Sequence, residues 1–187
     1  QRPPSALACP TAFEDKRAKV VCMDARKYLE KTNEKFDVII IDISEPVQEG
    51  PACLLFTRQF YEIVAGRLAK DGIASLQASA TNLKDSYFYT AIYRTLKSVF
   101  PLVRMFEGYI SSFDYTWGFA IASKKYDPVK MSSNTVTKRQ RQRKVSGLQH
   151  YDGLFHSKLF VLPKVIRDAL AHQTRVIEDD KPIVIPS

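Results

Sequence analysis

Glycine is scarce in this 187-residue chain, and its seven positions (Gly50, Gly66, Gly72, Gly108, Gly118, Gly147 and Gly153) never fall into a Gly-x-Gly-x-x-Gly or Walker spacing. No nucleotide-phosphate loop of either kind is therefore written in it. Cysteine and histidine are equally sparse, three of each, with Cys9, Cys22 and Cys53 far apart and no Cys-x-x-Cys pair. That suggests neither a disulfide framework nor a zinc knuckle, so no metal is expected, and it reads as a reduced, intracellular chain expected in the cytoplasm. No apolar run approaches the roughly 18 to 20 residues that cross a bilayer. Residues 1–9 carry neither the charged nor the apolar region of a signal peptide, and the chain opens on Gln1 rather than Met, so it is expected to begin in mid-protein.

What is present is apolar mass for one ordinary globular core, 45% hydrophobic and 26% charged. Lys and Arg outnumber Asp and Glu by 28 to 20, a net charge of +8. Much of that excess is one run without an acid, Lys130, Lys138, Arg139, Arg141, Arg143 and Lys144. Such a run is either a solvated loop or helix face or a contact for an anionic partner. No aromatic side chain is interleaved with it, so the solvated face is the preferred reading and nucleic acid is not an expected partner.

Residues 17–23 form a short apolar stretch that predicts a strand, followed by a helix from Ala25 to Lys31. Residues 36–43 (FDVIIIDI) are a continuous β-branched run, the pattern of a central strand covered on both faces. Thr57 can cap a helix that places Phe60, Tyr61, Val64 and Leu68 on one face and stops near Asp71-Gly72. A third strand over 72–77, an amphipathic helix over 85–99 carrying Phe88, Ile92 and Leu96, and an antiparallel edge hairpin over 102–109 and 117–122 complete the pattern. Alternating strands and helices predict an α/β fold with a mostly parallel sheet, helices on both faces and an antiparallel edge. The division expected is a catalytic-domain portion over 1–125 and a basic linker with a C-terminal helical extension over 126–187. In the latter, Leu159, Val161, Leu162, Val165, Ile166 and Leu170 keep helical spacing around Pro163.

In open α/β sheets ligands bind beyond the carboxyl ends of the strands. There the sequence offers Asp24, Asp42 with Glu45, and Gln77, with Asp114 in the last turn. Each has a structural alternative. Asp24 can simply cap a helix, Glu45-Pro46 is an ordinary turn dipeptide, Gln77 can be a satisfied strand end and Asp114 a turn former. Phe113, Tyr115 and Trp117 are more often core or interface residues than a ligand cage. Asp42 stands apart, because a carboxylate at the end of an apolar strand has little to stabilise it unless it serves a site.

Several segments resemble one family. Phe13-Glu14-Asp15-Lys16-Arg17, residues 23–29 (MDARKYL), residues 36–46 (FDVIIIDISEP), residues 55–61 (LFTRQFY), residues 117–124 (WGFAIASK) and residues 156–170 (HSKLFVLPKVIRDAL) look like the polyamine aminopropyltransferases, the spermidine and spermine synthases. The resemblance spans nearly the whole chain. It implies a Rossmann-like, methyltransferase-like fold, here the C-terminal portion, with the N-terminal β-hairpin domain, the glycine-rich loop and a ribose-gripping acid expected upstream of Gln1. Without them the chain is not expected to bind the donor normally. Residues 112–117 (SFDYTW) replace the Tyr-Pro-Ser-Gly of typical spermidine synthases and are similar to thermospermine synthases, as are residues 45–51 (EPVQEGP) with Cys53 behind them. An acceptor longer than putrescine is thereby brought into range.

The resemblance implies transfer of an aminopropyl group from decarboxylated S-adenosylmethionine, a co-substrate rather than a resident cofactor, to a polyamine, putrescine or spermidine, with release of methylthioadenosine. It implies Asp42 as the base, Asp24, Ala25 and Pro51 at the donor, and Glu45, Gln77, Asp114 and Trp117 at the acceptor, in a homo-oligomer, dimer or tetramer. A protein of +8 repels a polycation at long range, so attraction has to come from clustered acids. Two other classes remain: an S-adenosylmethionine methyltransferase on the same sheet, and an interaction or nucleic-acid-binding module using the basic run.

Overall fold

The computed structural model describes residues 12–47, 50–81 and 86–185. Four strands form one sheet in the order β1-β2-β4-β3: β1 Phe36–Ile41, β2 Leu68–Ala80, β3 Leu102–Ile110 and β4 Tyr115–Ser123. The first pair is parallel, and the β2–β4 and β3–β4 pairs are antiparallel. The α/β class holds, but among the described residues the sheet is mixed rather than mostly parallel.

Residues 17–23 form no strand, and Val20, Val21 and Met23 are exposed. Helix α1, Ala25–Lys31, does form behind them and buries Leu29. In consequence β1 lies at the sheet edge among the described residues, not at its centre. Its alternation shows one covered face only: Ile41 is buried, whereas Val38 is 55% and Ile40 73% exposed. A β-branched run specifies a strand. It does not specify how many neighbours that strand meets.

Helix α2, Arg58–Arg67, starts where expected, with Thr57 accepting from the Phe60 N–H at 3.3 Å. It stops earlier than expected. Leu68 turns extended and pairs with Phe36, and β2 runs through Asp71-Gly72. The pairing slips between Phe36 and Val38, and a Cβ on Gly72 would meet the Phe36 carbonyl and Leu68 at 3.0 Å. Asp71-Gly72 is thus a bulge that needs glycine for a close approach, not a helix stop.

Helix α3, Tyr87–Lys97, buries Phe88, Tyr89, Ala91, Ile92 and Leu96. It lies over the sheet face made of Ala74, Leu76, Ala120, Ala122, Val103 and Met105, whose small central side chains let the helix approach. The other face carries Val38, Ile73, Ile121 and Phe106. Beyond the sheet come α4, Ser133–Gln142, α5, Gly153–Leu159, and α6, Lys164–His172. The Phe160 ring at the end of α5 meets Phe106 edge-on at 5.6 Å, so helices do cover both faces. Lys130 ends the 3-10 turn Pro128–Lys130, and the rest of the basic run falls on α4, whose buried residue is Val136, and on the turn after it. Leu162 and Ile166 are buried and Val161 and Val165 exposed, with Pro163 heading α6.

The chain then returns across the molecule. Ile177 is buried, its N–H donating to Thr95 Oγ1 at 2.9 Å and its carbonyl accepting from Arg58 N–H at 2.8 Å. Asp179 takes both Arg26 guanidinium nitrogens at 3.0 and 2.6 Å and the Thr57 hydroxyl at 2.6 Å. Ile185 N–H reaches the Pro46 carbonyl at 2.9 Å beside a bridge between Val47 and Ile185. The tail therefore staples the loop after β1. None of the described helices is long and apolar enough to cross a membrane. Cys22 and Cys53 are free thiols, and Cys9 lies outside the described residues.

Candidate active site

The sheet topology decides which residues meet. The parallel pair puts the carboxyl ends of β1 and β2 side by side, and the antiparallel β4 begins at that same end, Trp117 opposite Ala80. Asp42 and Glu45 after β1, Gln77 near the end of β2, Trp117 at the start of β4 and Asp114 in the β3–β4 turn therefore share one rim.

Gln77 ties the rim together. Its Nε2 donates to the Ile43 carbonyl at 2.8 Å, and its Oε1 accepts from Ser79 N–H at 2.8 Å and from Trp117 Nε1 at 2.9 Å. With N–H donors on one side and a carbonyl on the other, the amide has only one satisfactory orientation. The Trp117 ring packs on Phe113, centroids 5.1 Å apart. Ser79 sits at a register break between Gln77 and Ala80 with φ of 72°, and its hydroxyl donates to Glu45 Oε1. Opposite it, a Cβ on Gly118 would lie 2.3 Å from the Tyr89 ring and 3.0 Å from the Ser79 carbonyl, so glycine is required for this close packing.

Asp114 adopts a left-handed backbone, φ 52°, and accepts from the Tyr109 hydroxyl, a bond that pushes the Tyr109 phenol upward. Asp42 is exposed, directly after the buried Ile41, and makes no hydrogen bond or ion pair among the described residues. Among the described residues none of Asp42, Glu45 and Asp114 is paired with a lysine or arginine, in a chain of net charge +8. Unneutralised carboxylates along one rim attract a ligand cation and can take a proton from it.

The residues expected at the donor are placed differently. Asp24 caps α1, accepting from Lys27 N–H at 3.0 Å, and Ala25 opens that helix; no described hydrogen bond joins either to the rim. Pro51 opens a 3-10 turn, Pro51–Leu55, after Gly50, whose N–H bonds the Val47 carbonyl at 3.0 Å. Cys53 Sγ reaches the same carbonyl at 3.6 Å, while Gln48 and Glu49 lie outside the described residues.

A cavity of about 810 Å³ lies elsewhere, between the Val38–Ile73–Ile121–Phe106 face and α4–α5. None of the rim residues lines it, and its floor is apolar.

Ser79, Gly118 and the tail contacts through Asp179 and Ile185 escaped the sequence reading. A glycine inside a strand was the one available signal, since it marks a close approach.

A Rossmann-like domain with acids at the carboxyl ends of its strands is a fold that serves many ligands, and comparison with known proteins narrows it. Residues 5–134 match the spermine/spermidine synthase domain. The polyamine aminopropyltransferase of Sulfurisphaera tokodaii is 34% identical over 176 residues, 94% of this chain and 58% of that protein. Polyamine aminopropyltransferase 2 of Pseudomonas aeruginosa is 35% identical over 176 residues, 94% of this chain and 50% of that one. Spermidine synthase from Thermotoga maritima superposes with a TM-score of 0.69 at 28% identity, over 86% of this chain and 52% of that structure. A spermidine synthase complexed with the transition-state analogue AdoDATO gives a TM-score of 0.74 at 29% identity, over 86% and 53%. The chain belongs to the spermine/spermidine synthase family. It spans about half the length of the curated relatives it matches.

Proposed function

We propose that this chain carries the acceptor side of an aminopropyltransferase. The observation that carries this reading is the rim of Asp42, Glu45 and Asp114, none with a lysine or arginine partner among the described residues, around the Gln77–Trp117 network that reaches Glu45 through Ser79. A polyamine is a row of ammonium groups, and such a rim binds it against the long-range repulsion of the chain's net charge of +8.

An alkylammonium with a pKa of about 10 has almost no nucleophilic amine at neutral pH. Asp42 takes its proton while Glu45 holds the nitrogen in line. The nitrogen lone pair then forms a bond to the carbon next to the sulfonium of decarboxylated S-adenosylmethionine. The carbon–sulfur bond breaks, its electrons stay on sulfur, and methylthioadenosine leaves. Asp24, Ala25 and the backbone at Pro51 serve the donor, and Gln77, Asp114 and Trp117 the acceptor chain. The thermospermine-like residues 112–117 favour spermidine over putrescine.

The test is methylthioadenosine release with either acceptor. In the complete enzyme Asp42→Asn is expected to lower turnover at least about 100-fold, the range of a lost general base. Turnover near that of the parent overturns the assignment. Appearance of a methylated product instead would make the protein a methyltransferase.

A further inference from the structure

Ser79, inside a strand, has its backbone held where side chains rarely go, a conformation shared on the rim by Asp114 in the β3–β4 turn. The Ser79 φ of 72° is the left-handed region, which costs a non-glycine residue about 1 to 2 kcal/mol. Glycine would take that conformation freely. The strain is confined to a bulge that interrupts the β2–β4 pairing between Gln77 and Ala80, and it is fixed on every side: the N–H enters Gln77 Oε1 at 2.8 Å, the carbonyl packs against Gly118, and the residue is only 5% exposed. Regular β2 geometry would point this side chain along the strand's alternation. The bulge re-aims it across to the loop after β1, where the hydroxyl meets Glu45. A strained serine in place of a relaxed glycine brings one thing to the rim, an oriented hydroxyl donor.

We propose that Ser79 is a positioning residue of the acceptor site, a left-handed bulge whose hydroxyl holds one oxygen of the Glu45 carboxylate so that the other faces the acceptor ammonium. This role rests on the aminopropyltransferase reading above. Glu45 lies on a loop stapled at Pro46 by the Ile185 N–H at 2.9 Å, so its backbone is anchored and its side chain is what remains to be oriented. A neutral donor suits that task. A lysine or arginine in the same place would orient the carboxylate but cancel the charge that the ammonium needs, whereas a hydroxyl leaves it intact. The same bulge supplies the N–H that fixes Gln77, and Gln77 fixes Trp117, so one backbone feature sets three rim side chains.

The chain's single tryptophan, Trp117, makes the proposal measurable without the donor. Spermidine is titrated into the full chain while Trp117 emission is followed, with isothermal calorimetry alongside. Ser79→Gly removes the hydroxyl and relieves the backbone, so the variant is expected to melt at or above the parent temperature yet to bind spermidine about tenfold more weakly, the loss of one charge-assisted bond. Glu45→Gln is expected to weaken binding comparably, and the double variant to lose little more than either alone, because both changes break one unit. Ser79→Thr keeps the hydroxyl and is expected to recover part of the affinity. Parent-like affinity for Ser79→Gly, or fully additive losses, overturns the role of Ser79 while leaving the acceptor site in place. A Ser79→Gly variant that fails to fold also overturns it, since glycine only relieves the strain invoked. Absence of spermidine binding by the parent overturns the acceptor reading itself, and this role with it.

Discussion

Trp117 Nε1 donates to Gln77 Oε1 at 2.9 Å, so the first indole of β4 is locked to the carboxyl end of β2 by an amide that also holds the Ile43 carbonyl and the Ser79 N–H. Two strands and the loop after a third thus meet in one buried side chain, and the rim has a common mechanical reference.

Replacing Gln77 by Leu strands all three partners at once. Each buried group left unsatisfied costs about 1 to 3 kcal/mol, and several share this penalty, so a loss of about 3 kcal/mol is expected. Urea unfolding measures it, and the emission maximum of Trp117 shifts as its N–H loses its acceptor. A stability change under about 0.5 kcal/mol would mean the network is not formed.

Gly118→Ala probes the other side of the bulge. The added methyl meets Tyr89 ring atoms at 2.3 and 2.5 Å, and Tyr89 is buried, so the ring cannot swing into solvent. Overpacking of this kind costs about 1 to 3 kcal/mol. Because the Ser79 carbonyl lies 3.0 Å from the same point, spermidine affinity is expected to fall together with stability, whereas Gly66→Ala, where nothing lies within 4 Å, leaves both intact.

How much of this was legible in the residues alone depends on the kind of contact. The helices at 25–31, 58–67 and 87–97 were readable because their caps and apolar spacing are local, and the hairpin because its strands flank one polar turn. The place of β1 in the sheet was not readable. An apolar run such as Val38-Ile39-Ile40-Ile41 states that cover is wanted, while the partner that supplies it is set by distant chain. The Asp71-Gly72 bulge mimics a helix stop because both uses need a residue without a side chain. At the rim, Asp42, Glu45 and Gln77 stood out as polar residues after apolar strands. Ser79 did not, since nothing in its residue type announces a left-handed backbone.

The tail contacts carry a pH signature. Arg26 beside Asp179, and Arg58 beside Glu178, hold those carboxyls below their usual range. A folded-state carboxyl depressed in this way stabilises the protein fully above the unfolded pKa of about 4 and progressively less as the pH falls through its lower folded value. Unfolding midpoints are therefore expected to drop below about pH 4. Arg26→Ala lowers the midpoint at neutral pH and flattens that acid limb. An acid limb identical to the parent's would show that Asp179 does not depend on Arg26.

An ion pair ties the segment over β3 to that strand, beside the Phe106–Phe160 ring contact. Asp127, its side chain 5% exposed, takes both Arg104 nitrogens at 2.9 and 2.6 Å and caps the turn Pro128–Lys130 through Val129 N–H at 3.2 Å. The Pro128 carbonyl in turn bonds His156 Nε2 at 2.9 Å, whose other nitrogen meets the Tyr151 hydroxyl at 2.8 Å. Arg104→Leu leaves a buried carboxylate without its counter-charge. The expected cost is about 2 kcal/mol, below that of a fully buried pair because Arg104 is itself partly open to water. The loss is expected to be local: hydrogen exchange quickens over 128–160 while β2 and β4 keep their protection. Adding Asp127→Leu removes the orphaned charge, so the double variant is expected to recover stability relative to Arg104→Leu alone. If the double variant is the weaker of the two, the capping of Pro128–Lys130 by Asp127, and not its pairing with Arg104, is what anchors α4 and α5.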